Sequence, residues 1–219
     1  FGGYPAEDLI QMPEFVSEQM TALKKMSQAL AAFDTVYAVG IAVHAGGMPY
    51  NACAVFHHGA ILGIVTKEDL PGYGVFDEPR VFSRGQPNAY ATINEIPVGD
   101  MVFEFPFGTM GAYICEETWT PSGPLSRRSA IAELAVVINA SPNRVGVLDT
   151  RRIMLATRSA DHECTLVAAY AVGGNDSLVF DGGGFFFQNG QLLKEAQRFC
   201  EGVTYCEIDL SRTARMRKQ

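Results

Sequence analysis

Residues 36–43, VYAVGIAV, constrain the fold more than any other stretch. The run is unbroken in its apolar character, far too short to span a membrane, and rich in β-branched side chains. It reads as a strand buried on both faces, and such a strand needs a layer of structure on each side. The segment before it, residues 14–32, has Phe15, Met20, Leu23, Met26 and Leu30 at helical spacing, with Glu18, Lys24 and Lys25 between them. That is an amphipathic helix with one face free to cover the strand.

The same alternation continues to the end of the chain. Gly46 and Gly47 mark a turn, and residues 51–56 and 60–65 read as a hairpin around His57, His58 and Gly59. Residues 68–88, with Pro71, Gly72, Gly74, Pro79, Gly85 and Pro87, form a long loop of the kind that carries function in a compact domain. Strands are expected at 102–105, 111–115, 135–138, 166–172 and 178–180. Helices are expected at 125–134 and at 150–161, the latter with its arginines on the outer face. Gly182, Gly183 and Gly184 are expected to make a tight turn between pairing segments, and residues 185–187 a strand entering a hairpin. Strands alternating with helices point to an α/β sandwich with short connections. No internal boundary interrupts residues 1–219, so a single domain is expected.

Composition narrows the partners. The chain has 17 Lys and Arg against 24 Asp and Glu, a formal charge of −7, which argues against nucleic acid. Its one basic cluster, residues 212–218 (RTARMRK), reads as a solvated terminal run. Five cysteines, Cys53, Cys115, Cys164, Cys200 and Cys206, are scattered without CxxC or zinc-like spacing. Neither a disulfide framework nor a metal is expected from them, and a cytoplasmic location with no membrane association fits. His44, His57, His58 and His162 likewise show no metal-ligand spacing; turn or surface positions suit His57 and His58, and a core or helix-flank position suits His162.

Three features could carry chemistry. Cys115 ends a predicted strand and is followed by Glu116, Glu117, Thr118 and Trp119. A thiol leaving a strand into a turn can meet backbone N–H donors that favour a thiolate and later an oxyanion. The bland alternative is a small buried hydrophobe. Lys67 follows a mostly apolar strand and could stabilise a tetrahedral intermediate, its alternative being a solvated loop lysine. Residues 137–142, VINASP, present Asn139 and Ser141 at a strand end, where α/β folds place ligands.

These segments carry a resemblance. GYPAEDL from Gly3, KEDLPGYGVFDEPRVF from Lys67, ICEETW from Ile114, NASP from Asn139 and LVFDGGG from Leu178 stand in the order and spacing of the nitrilase, or carbon–nitrogen hydrolase, superfamily. Within it the chain is most similar to the glutaminase domains of glutamine-dependent NAD+ synthetases, and the closing DLSRTARMR resembles their approach to the linker before the synthetase domain. The resemblance implies an α-β-β-α four-layer sandwich of nitrilase type, truncated here at its N-terminus. It implies a Glu–Lys–Cys triad in which Cys115 is the nucleophile and Lys67 the cation supporting the oxyanion. Glu78 would be an additional carboxylate orienting the lysine, and Tyr73, Glu116 and Ser141 would contact glutamine. No cofactor is implied for the amidase reaction; ATP and Mg would serve only a synthetase domain receiving the ammonia. Homo-oligomers are common in the superfamily and one is expected here.

Two departures qualify this. The family's general-base glutamate belongs to a P-E-L segment expected upstream of Phe1, so the isolated segment is expected to be a weak or inactive catalyst. Val147 stands where many relatives have a cation for the substrate α-carboxylate, and Arg144 and Arg151 are out of register. Two other readings stay open: a free-standing amidase or carbamylase of the superfamily, and a non-catalytic nitrilase-like assembly module.

Overall fold

The computed structural model describes residues 2–218 and divides into two compact units, residues 1–101 and 102–219. In the first, a 3₁₀ turn at Glu7–Gln11 leads into α1 (Pro13–Ala29), which starts with proline in its first turn, where the missing N–H costs nothing. Val16, Leu23 and the polar Gln19 and Ser27 are its buried residues, three or four apart. The apolar run becomes β1 (Tyr37–Ala45), followed by β2 (Met48–His57) and β3 (Ala60–Thr66) in an antiparallel meander. Leu23 packs in one cluster with Ile41, Val43, Ala54, Phe56 and Ile64, so α1 covers the sheet as its pattern required.

The long loop contains one helical turn, α2 (Glu78–Val81), again with proline at its start. The hairpin β4 (Tyr90–Ile93) and β5 (Ile96–Gly99), not expected from the sequence, closes a five-stranded sheet in the order β1-β2-β3-β5-β4. Its strands are short and mostly unburied, so they lack the apolar periodicity that announces a strand. Gly99 has φ 140°, and a Cβ there would collide with the Ala89 carbonyl; glycine is required where β5 meets this loop.

The second unit holds a six-stranded sheet in the order β13-β12-β9-β8-β7-β6. Its strands are β6 (Phe103–Phe105), β7 (Gly108–Ile114), β8 (Leu134–Asn139), β9 (Thr165–Tyr170), β12 (Gly184–Gln188) and β13 (Gln191–Ala196). The centre is parallel: β7 pairs β8, and β8 pairs β9. The crossovers contain α3 (Pro124–Ser129) and α4 (Val147–Asp161). Leu155 of α4 packs into a core of Val137, Leu166, Phe185 and Phe187. A separate ribbon pairs β10 (Val172–Asn175) with β11 (Leu178–Asp181), and the chain ends in α5 (Leu210–Met216).

Four expectations are corrected. Helix α3 stops at Ser129 rather than continuing to 134, because Leu134 already pairs with Met110 and Thr165 and must be extended. Gly182 and Gly183, at φ 65° and 84°, connect β11 to β12, strands of two different sheets that do not pair with one another; Gly184 is already in β12. The arginines of α4 are not all outward: Arg151 is 1% and Arg158 9% exposed, since both donate to buried backbone carbonyls. The basic tail is a helix, not a solvated run. Thr213 is buried, and Arg217 donates to the carbonyls of Glu163, Ala132 and His162. Among the described residues no helix is long and apolar enough to cross a membrane.

Candidate active site

The first unit brings Lys67 and Glu78 together. Lys67 follows the last residue of β3, where its N–H donates to the Asn51 carbonyl at 2.8 Å and its carbonyl accepts from Gly85 N–H at 2.8 Å. A Cβ at Gly85 would stand 2.6 Å from Thr66 Oγ1 and 2.9 Å from its carbonyl oxygen, so only glycine lets the loop pass this close. Pinned on both sides, the side chain is directed inward and is 1% exposed. Its Nζ donates to both carboxylate oxygens of Glu78 at 2.8 Å, and Glu78 is 4% exposed. Glu78 heads α2, and its N–H reaches the Pro71 carbonyl at 3.2 Å. Tyr4 Oη donates to Glu78 Oε1 at 2.8 Å and Asn51 Nδ2 to the same oxygen at 3.4 Å.

A buried ammonium and carboxylate persist only when paired and further hydrogen-bonded, and this pair is both. The structure thus overturns the solvated-lysine alternative. It also adds Tyr4 and Asn51, whose only sequence signal was that Tyr4 lies within the GYP motif. Tyr73 stands apart in burial: it is 57% exposed and packs edge-on to Phe76, ring centres 5.7 Å apart.

In the second unit Cys115 leaves β7 and begins a 3₁₀ turn, Cys115–Thr118. Its φ is 44°, in the left-handed region that non-glycine residues seldom occupy. Such strain persists only where the surroundings over-determine it. Here the buried Glu117 carboxylate accepts from Ile114 N–H at 2.8 Å, and Thr118 Oγ1 donates to the Cys115 carbonyl at 2.8 Å. Arg158 from α4 donates to the carbonyls of Thr118 and Trp119 at 3.0 and 3.2 Å. The turn is held at both ends, and Glu117 is part of the clamp rather than of the surface. Unlike Cys53 and Cys164, which are fully buried, Cys115 is partly exposed. Burial pushes the Cys164 thiol up to about 11, as an inert core thiol should be.

Parallel register lines up the neighbours of Cys115. Ile114 pairs with Ile138, and Asn139 with Tyr170, so Cys115, Asn139 and Tyr170 stand at the carboxyl ends of three adjacent strands. This is the edge where parallel α/β sheets gather ligands. Tyr170 has its phenol raised well above the ordinary value by burial, with the Arg151 guanidinium opposing. Glu116 follows the thiol on the turn, and Ser141 lies two residues beyond β8 at 9% exposure. Arg151 holds that loop: Nη2 donates to the carbonyls of Ser141 at 2.8 Å and Pro142 at 3.3 Å, while Nη1 contacts both oxygens of Asp181. Its guanidinium lies over the Tyr170 ring at 4.4 Å. Arg151 is therefore consumed by the scaffold, and Val147 is buried at the start of α4. No local sequence pattern signals this Arg151–Asp181 link, since thirty residues separate its members.

The first unit thus holds a buried lysine–carboxylate pair, and the second a thiol at positive φ at the end of a central parallel strand. A sequence model of the family described as carbon-nitrogen hydrolase matches residues 2–218, and the chain belongs to that family. Over 218 residues it is 35% identical to the glutamine-dependent NAD(+) synthetase of Aquifex aeolicus (strain VF5), covering 98% of this chain and 36% of that protein. The solved glutamine-dependent NAD+ synthetase of Acinetobacter baumannii, in complex with ADP, superposes with a TM-score of 0.79 at 32% identity, covering 91% of this chain and 36% of that one. A carbon-nitrogen hydrolase from Helicobacter pylori G27 shares the fold with a TM-score of 0.79 at 22% identity, covering 94% of this chain and 74% of that one. The fold is thus the nitrilase-type α/β fold, and the chain spans about a third of the length of the curated relatives it matches.

Proposed function

We propose that this chain is the glutamine amidohydrolase part of a glutamine-dependent NAD+ synthetase. The observation that carries the reading is Cys115 itself: a partly exposed thiol held at positive φ at the head of a clamped turn, on a strand end of the family's fold. Relatives named as glutamine-dependent NAD(+) synthetases support glutamine as the carboxamide.

In this reading the Cys115 thiol gives its proton to the family's glutamate base, and the thiolate attacks the side-chain carbonyl carbon of glutamine. Lys67 supplies positive charge for the oxyanion, and Glu78 fixes the lysine's direction through both of its oxygens. The C–N bond breaks, the departing nitrogen takes the proton, and ammonia leaves a Cys115 thioester. Water then adds to the thioester, releasing glutamate and restoring the thiol. Tyr73, Glu116 and Ser141 contact the glutamine substrate, and Val147 leaves its α-carboxylate without the cation that many relatives carry. The amide chemistry needs no cofactor; ATP and Mg belong to a synthetase domain that consumes the ammonia, in an assembly of several copies.

The test is ammonia release from glutamine by the full-length protein, coupled to glutamate dehydrogenase, with Cys115→Ala. Activity should vanish while ammonia-dependent synthesis persists; retained glutamine hydrolysis refutes the assignment. Val147 favours one second reading, an amidase acting on simple carboxamides, which predicts faster turnover of such amides than of glutamine.

A further inference from the structure

We propose that Asp34, His57 and His58 form a binding site for a borderline divalent transition-metal ion of the zinc type, separate from the amide-hydrolysing residues. Sequence spacing hid it, because Asp34 lies 23 residues before His57. The hairpin between β2 and β3 turns at His58 and Gly59, with φ of 47° and 79°. Both central residues of this turn type need positive φ, a place usually given to Asn-Gly. A histidine there accepts backbone strain, and its ring is thereby brought to the end of α1.

That placement is built in from several directions. Ser27 Oγ and Gln28 Nε2, from the last turn of α1, both donate to the Gly59 carbonyl, at 3.3 and 3.1 Å. His58 Nδ1 lies 3.2 Å from the Ala31 carbonyl, a group that can only accept, so Nδ1 carries the hydrogen. The neutral ring then presents a lone pair at Nε2, and Nε2 faces Asp34 Oδ1 at 3.3 Å. His57 Nε2 meets the same oxygen at 2.9 Å, and the two rings are 4.0 Å apart. A lone pair aimed at a carboxylate oxygen is repulsive unless a cation or a second proton lies between them.

The three ligand atoms lie within 4.8 Å of one another. Ligands on a tetrahedral ion at about 2.0–2.1 Å would be about 3.4 Å apart; the two imidazole-to-carboxylate distances, 2.9 and 3.3 Å, are already near that, and a turn of the half-exposed His58 ring would adjust its nitrogen against that of His57. Two imidazole nitrogens with one carboxylate select zinc-like ions over calcium or magnesium, which take oxygen. A ligating histidine whose other nitrogen is fixed on a backbone carbonyl is the usual outer-shell arrangement, and the C-terminal end of α1 adds negative potential. Three protein ligands leave room for water.

The experiment titrates the full chain with Zn2+ at neutral pH, following the imidazole resonances of all four histidines by NMR. Saturable shifts at His57 and His58, with His44 and His162 unmoved, are expected. His58→Asn keeps a residue that tolerates the left-handed turn, and it should weaken binding by more than about tenfold. Asp34→Ala, at an exposed position, should do the same, so a misfolded His58 variant would not leave the idea untested. His57 and His58 resonances that respond to pH but not to Zn2+ would overturn the site and assign the contact to a second proton. Undiminished affinity in both variants would overturn it as well.

Discussion

Replacing Arg151 by Met tests whether the loop after β8 is held by one buried cation. Methionine keeps the length and most of the apolar contact but removes the charge and every donor. Arg151 is 1% exposed and makes two contacts to the fully buried Asp181 carboxylate and two to the Ser141 and Pro142 carbonyls. Breaking a buried ion pair from one side costs about 3–5 kcal/mol, because the abandoned charge stays in low dielectric. Asp181 retains Arg198, whose Nε is 2.8 Å from Oδ2 and whose side chain is 25% exposed, which places the expected loss toward the lower end. With a urea slope of about 2–3 kcal/mol/M for a chain of this size, the unfolding midpoint should fall by about 1–2 M. Pairing Arg151→Met with Asp181→Leu removes both buried charges, and the double variant should be at least about 1 kcal/mol more stable than the summed single effects predict. A single-variant loss under about 1 kcal/mol at unchanged slope, or strict additivity in the cycle, would refute the argument.

Asp181 also sets a pH dependence. Burial alone would raise its carboxyl, but Arg151 and Arg198 outweigh it and hold it below the ordinary value. A depressed carboxyl contributes stability that is complete above its unfolded value of about 3.9 and is lost as pH falls through the folded one; Asp181→Asn should flatten stability against pH below about 4 in acid titrations followed by circular dichroism. Glu78→Gln should strand the Lys67 ammonium and cost about 3–5 kcal/mol, whereas Tyr4→Phe, removing one hydrogen bond to a carboxylate, should cost about 1.5–3 kcal/mol; thermal melts that reverse this order would contradict the pairing described. Cys164, buried and with its thiol raised, should resist iodoacetamide at neutral pH in the native protein, and peptide mass spectrometry that finds it alkylated before Cys115 would argue against the burial assigned to it.

Some of this was legible without coordinates. The helix over α1, the strands β1 to β3 and the strand ends at Cys115 and Asn139 follow from apolar periodicity and glycine punctuation, because burial of one face imposes a period on the chain. Motif order alone pointed to the carbon-nitrogen hydrolase family to which the chain belongs. The β4–β5 hairpin escaped because exposed strands carry no such period, and α5 because its helix is fastened by Thr213 and Arg217 rather than by an apolar stripe. What only the tertiary structure decided are the long-range polar contacts: Glu78 with Tyr4 and Asn51, Arg151 with Asp181 and the Ser141 loop, Arg158 with the turn after Cys115, and Asp34 with two histidines. Apolar burial leaves a mark on local sequence because every residue of an element shares it. A buried charge is satisfied by whichever group the folded chain brings to it, and nothing in the neighbouring residues records which one that will be.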